Sequence, residues 1–133
     1  MGMFSANPQA EVSAGFEAVK PGTYHMRYKT VVDRADKGKT DYECLLEHTL
    51  PKEELVSVEG MPLRGLSQNV YSYLSYASDK QGMLKAATLA AGLPWADYDP
   101  AIDLVGKEID VVLKVEVYQG ENKNKVARFV VPK

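Results

Sequence analysis

Apolar and polar residues alternate with a period of two in five separate runs of this chain, and a single stretch of helical spacing stands between the third and fourth. Period two means a strand with one buried and one solvated face. The runs cover residues 23–32 (β1), 40–50 (β2), 69–76 (β3), 107–118 (β4) and 126–131 (β5), with the helix (α1) over 79–91. At 133 residues the chain has room for one domain with a modest core. The expectation is an all-β barrel with one helix.

In β1, Tyr24, Met26, Tyr28, Thr30 and Val32 share a face, and His25, Arg27, Lys29 and Val31 share the other. In β2, Tyr42, Cys44, Leu46, His48 and Leu50 face one way. A hairpin symmetric about 34–39 sets Tyr28 opposite Leu46 and Val32 opposite Tyr42, with Arg27 and Lys29 near Glu47 outside. Residues 51–68, broken by Pro51, Gly60, Pro62 and Gly65, read as a long connection. For α1, Ser78 and Gln81 have capping-box spacing. Met83, Leu84, Ala87, Ala90 and Ala91 form one apolar face, and Gly92 with Pro94 supplies the stop. Ile109, Val111, Leu113, Val115 and Val117 make β4 the strongest strand, and 119–125 reads as a polar hairpin loop. Residues 1–20 read as a partly ordered N-terminal arm pinned by Phe16, ahead of a domain over 21–133.

The order β1-β2-β3-α-β4-β5 is that of the OB-fold, a five-stranded, partly open barrel whose β1–β2 and β4–β5 loops flank its habitual ligand surface. Both loops are basic here, with Arg34, Lys37 and Lys39 in one and Lys123 and Lys125 in the other. Arg27 and Lys29 lie between them on the outer face of β1, and Lys114 extends the patch. A single-stranded nucleic acid needs cations for its phosphates and aromatic faces for its bases. Tyr71, Tyr73, Tyr76 and Tyr118 are the candidate stacking residues. The plainer alternatives stand beside this: loop lysines that are simply solvated, Arg27 and Lys29 paired with Glu43 and Glu47, and tyrosines that pack the core or an edge.

The net charge of −2 sets no global bias toward phosphate, so a basic surface has to be local. One cysteine, Cys44, allows no intrachain disulfide and fits a reducing compartment. No signal peptide or membrane span is expected. His25 and His48 fall on opposite faces, and Cys44 and His48 are about 13 Å apart along a strand, so no metal is expected. The acidic segment Asp97, Asp99, Asp103, Glu108 has calcium-loop spacing but holds Ile102 where the turn glycine belongs. No Ser-His-Asp order, CxxC or P-loop occurs. No enzyme activity and no cofactor are expected.

With these pieces in place the chain resembles phage-encoded single-stranded-DNA-binding proteins of the OB-fold kind. The resemblance lies in the order of short motifs over residues 16–133: Phe16 with Pro21-Gly22-Thr23-Tyr24, Ala90-Ala91-Gly92-Leu93, Leu104-Val105-Gly106-Lys107, and Gly120-Glu121-x-x-Asn124-x-Val126. It implies sequence-tolerant binding of single-stranded DNA in replication or recombination, with replication or recombination proteins as partners, in the cytoplasm of the host cell. Such proteins often carry an acidic tail, whereas this sequence closes on Phe129-Val130-Val131-Pro132-Lys133. The alternative on the same fold is a protein-interaction module that does not touch DNA.

Overall fold

Strand β1 (Gly22–Asp33) is the hub of the barrel in the computed structural model, which describes residues 3–8, 16–67 and 69–132. It pairs antiparallel with β2 (Asp41–His48) on one side and β4 (Glu108–Tyr118) on the other. β3 (Val70–Ser75) adds to β2, and β5 (Glu121–Phe129) adds to β4. The resulting order, β3-β2-β1-β4-β5, is entirely antiparallel. Its edge strands β3 and β5 curl toward each other, so the sheet nearly closes into an OB-like barrel. Inward residues from every strand fill it: Met26 and Tyr28, Cys44 and Leu46, Val70 and Leu74, Ile109, Val111 and Leu113, Val126 and Phe129.

β1 changes phase midway. Tyr28 lies opposite Leu46 as expected, but Thr30 lies opposite Leu45, leaving Lys29 as the extra residue of a β-bulge. Beyond it Val31 turns inward. Val32 is 53 % exposed and sits opposite Glu43, not Tyr42. The bulge falls where β1 leaves β4, whose register with it ends at Arg27 and Glu108. A strand shared by both halves of a small barrel has to bend there.

Helix α1 (Gly82–Ala90) packs Leu84, Ala87 and Thr88 into the barrel. It begins three residues later than its spacing suggests, and the capping box does not form. Residues 77–80 make a separate turn, and the Gln81 amide donates to the Tyr76 carbonyl at 2.8 Å instead of capping. Met83, at the edge of the buried face, stays partly exposed. The C-terminus ends as read. Gly92 has φ +78°, and Leu93 and Gly92 donate to the carbonyls of Thr88 and Leu89 in a Schellman motif.

The β4–β5 connection is also tighter than its composition suggests. Gln119 (φ 51°) and Gly120 (φ 79°) form a two-residue turn of the left-handed kind that suits a twisted hairpin. Lys123 and Lys125 are therefore strand residues and not loop residues.

Phe16–Glu17 pairs in parallel with Leu66–Ser67, and Ala18 and Val19 are buried. Asn124 clamps this segment. It accepts from the Val19 N–H at 2.9 Å and donates through Nδ2 to the Val19 carbonyl at 3.0 Å. Residues 1–2 and 9–15 of the expected arm lie outside the described residues, as does the side chain of Phe16. No helix among the described residues is long and apolar enough to cross a membrane.

Candidate nucleic-acid interface

Strand parity decides which way the β3 tyrosines point. Val70, Ser72 and Leu74 are buried, so Tyr71 and Tyr73 face outward, 53 % and 51 % exposed. Residues two apart on one face stand about 6–7 Å from each other. Register carries their rows across the sheet. Tyr71 continues through Leu45 to Thr30, and Tyr73 through Glu43 to Val32. Leu45 and Val32 thus add apolar surface beside the tyrosines. The bulge put Val32 there, and no sequence signal separates it from Val31.

Because β3 and β5 do not pair along their length, a cleft of about 290 Å³ opens at the seam, lined by Tyr71, Ser72, Tyr73, Met83, Lys125 and Val126. Met83 joins this cleft from the edge of the helix face that buries Leu84, Ala87 and Thr88; the sequence placed it in the core.

The cations divide into two groups. Arg34 is fixed. Its Nε and Nη2 donate to the two carboxylate oxygens of Asp41 at 2.6 and 2.5 Å, and its guanidinium lies 4.5 Å from the centre of the Tyr73 ring. The Arg34 hydrogen bonds hold the Asp41 carboxyl below its ordinary range. Arg27 reaches Glu47 at 3.3 Å and Glu108 at 3.9 Å. Glu116 lies 3.3 Å from Lys114 and 3.7 Å from Lys125, and Lys123 pairs with Glu121 at 3.4 Å. Lys29, Lys37 and Lys39 form no ion pair among the described residues. Lys37 ends a 3-10 turn (Ala35–Lys37), and Gly38 (φ +73°) reverses the chain ahead of Lys39.

The interface thus gathers Arg34, Lys37 and Lys39 at the β1–β2 tip, Tyr73 and Tyr71 along β3, and Lys125 at the cleft. It does not gather Tyr118 with them. Lys114 stands directly opposite Lys125, and Lys123 two residues along from it, on the overhanging end of the β4–β5 hairpin, where Tyr118 is 62 % exposed opposite Glu121.

The two histidines take opposite electrostatic settings. His25 Nδ1 is 2.8 Å from Asp110 and Nε2 is 3.1 Å from Glu108, and these contacts, Asp110 first, raise its pKa. His48 lies edge-on to Tyr24 with neither ring nitrogen bonded, and burial lowers its pKa. Burial pushes the Cys44 thiol up to about 12, so it stays protonated and packs as a small apolar side chain.

No protein-family model matches the chain, and no curated protein matches its sequence.

Proposed function

We propose that the chain binds single-stranded DNA with little base preference, on the outer face of β3 and the adjoining β1–β2 hairpin, in phage-type replication or recombination. One observation carries the reading: two outward tyrosines at strand spacing, one beneath an arginine, with cations at both ends of their row. Bases stack on Tyr71 and Tyr73, each stack contributing about 1–3 kcal/mol regardless of base identity. Lys37 and Lys39 follow the phosphates as mobile point charges. Arg34, held by Asp41, stiffens Tyr73 and adds a second planar surface. The role is binding without catalysis, and the cytoplasm, that of a host cell if the chain is phage-encoded, is its setting.

Fluorescence anisotropy with a labelled oligothymidylate and with a duplex of equal length tests the reading. Tighter binding of the single strand supports it; equal or tighter binding of the duplex sinks it.

A second reading has its own support. Arg27, Lys114, Lys123 and Lys125 each have a carboxylate neighbour, so much of the basic surface is already neutralised. That favours a protein-interaction module, an accessory subunit of a replication or recombination complex. Absence of any single-strand binding at low salt, from a folded protein, would transfer the function to it.

A further inference from the structure

A second concave site opens where α1 and the segment after it meet the barrel. Four aromatic residues from three parts of the chain wall a cavity of about 350 Å³: Tyr42 of β2, Tyr76 just after β3, and Trp95 and Tyr98 of the turn region. The volume lies at the small end of the range of ligand pockets, roughly 300–1,000 Å³. Tyr42 and Tyr76 meet at 5.1 Å between ring centres with their planes 57° apart, which leaves a corner and not a stack.

Apart from the neutral Gln81 amide, whose Nε2 is given to the Tyr76 carbonyl, its polar side chains favour one charge. Asp97 lines the cavity, and no lysine or arginine does. Asp33 accepts from the Tyr76 hydroxyl at 3.0 Å. Asp99 caps the short helical turn Pro100–Asp103 through the Ala101 N–H, and its field, with that of Asp33, reaches the Tyr42 hydroxyl. None of Asp33, Asp97 and Asp99 forms an ion pair among the described residues. Of the three tyrosine hydroxyls, those of Tyr76 and Tyr98 are spent. Tyr76 gives its proton to Asp33. Thr88 gives its proton to the Leu84 carbonyl at 2.7 Å and so accepts from Tyr98 at 2.6 Å. An anion entering here would meet carboxylates and few donors. A cation would meet four aromatic side chains and the Asp97 carboxylate, both of which favour positive charge.

We propose that this cavity is a binding site for a quaternary or methylated alkylammonium group, held against the faces of Tyr42, Tyr76, Trp95 and Tyr98 with Asp97 at the rim. The group can be a free small cation or the methylated lysine side chain of a protein partner; both present the same head. The inference is independent of the nucleic-acid reading. Tyr42 belongs to the inward set of β2, on the other side of the sheet from Tyr71 and Tyr73.

The chain has one tryptophan, Trp95, so its emission reports on this cavity alone. The full chain is titrated with choline, with N-acetyl-trimethyllysine amide, with the neutral choline isostere 3,3-dimethylbutanol, and with thymidine monophosphate. Both cations are expected to change Trp95 emission saturably, and at least about tenfold more tightly than the isostere, the ratio that a desolvated cation–π contact supplies. Asp97→Asn, at an exposed position that the fold does not depend on, should weaken the cations several-fold and leave the isostere unchanged. Comparable affinity for the trimethyllysine amide and choline assigns the site to a free cation, and a clear preference for the amide assigns it to a protein partner. Equal affinity for the isostere, tighter binding of the nucleotide, or no saturable response to either cation overturns the proposal.

Discussion

The β1–β2 and β4–β5 hairpins each bring two lysines to the end of the barrel, yet they offer solvent very different amounts of charge. The first has a seven-residue connection, and Lys37 and Lys39 stand on it without a carboxylate partner among the described residues. The second turns in two residues, so its lysines are drawn into β5. There strand parity places Lys114, Glu116, Lys123 and Lys125 on one outer face. Glu116 sits between Lys114 and Lys125, and Glu121 beside Lys123. Such exposed pairs contribute about 0–1 kcal/mol to stability. Their greater consequence is that phosphate has to compete with a carboxylate already present. Available charge is set by backbone geometry as much as by composition.

The largest expected effect belongs to the tyrosines that link the two hairpins. Replacing Tyr71 and Tyr73 together by alanine should lower single-strand affinity by roughly 30- to 25,000-fold, on the basis of about 1–3 kcal/mol for each of two stacked bases. Because both side chains are half exposed, thermal stability should fall little. Loss of stability with affinity intact would make them packing residues and leave charge as the only difference between the hairpins.

Asn124→Ala should cost about 1–3 kcal/mol of unfolding free energy, because it strips both partners from the backbone of the buried Val19. Chemical denaturation would measure this. A neutral result would mean that the β4–β5 hairpin does not anchor the N-terminal segment, and would remove the structural reason for its length.

A smaller test concerns pH. The folded-state pKa of His25 is raised above 6.5, so its contribution is complete below pH 6.5 and is lost as pH rises through the folded value. The folded-state pKa of His48 is lowered, so its contribution is complete above pH 6.5 and is lost as pH falls through the folded value. The two act in different windows, so the intact protein is most stable, as far as these groups decide it, near pH 6.5. His25→Gln should therefore lose stability on acidification below pH 6.5, and His48→Gln should lose it on alkalinisation above pH 6.5. Identical profiles in both variants would contradict the two environments.

Much of the barrel was legible because period two is unambiguous where only one face is apolar. Ile109, Val111 and Leu113 could face only inward. For β3, parity said only that Tyr71 and Tyr73 share a face, and the burial of Val70, Ser72 and Leu74 showed it to be the outer one. Legibility failed where both phases were apolar or where a polar run could be strand or loop. Val31 and Val32 are equally suited to the core, so the bulge at Lys29 left no mark in the sequence. The polar residues 121–125 read as a loop, although Gln119-Gly120 alone makes the turn and Asn124 points its amide at Val19. Ser78 and Gln81 had capping spacing, but the Tyr76 carbonyl took the Gln81 amide first. Candidate cations were identifiable by type. Their ion pairs became visible only once register put Glu116 and Glu121 beside them.

The most direct measurement is the salt dependence of oligothymidylate binding for the intact chain and two double variants, Lys37→Ala/Lys39→Ala and Lys123→Ala/Lys125→Ala. With three to five phosphates neutralised, log K should fall against log salt with a slope of about −2 to −4, at roughly 0.7 per contact. The first variant should make that slope shallower by about 1–1.5, the loss of two contacts. The second should change it by less than half as much, since Glu116 and Glu121 already hold those lysines. Equal changes in the two variants, or a larger change in the second, would contradict the account.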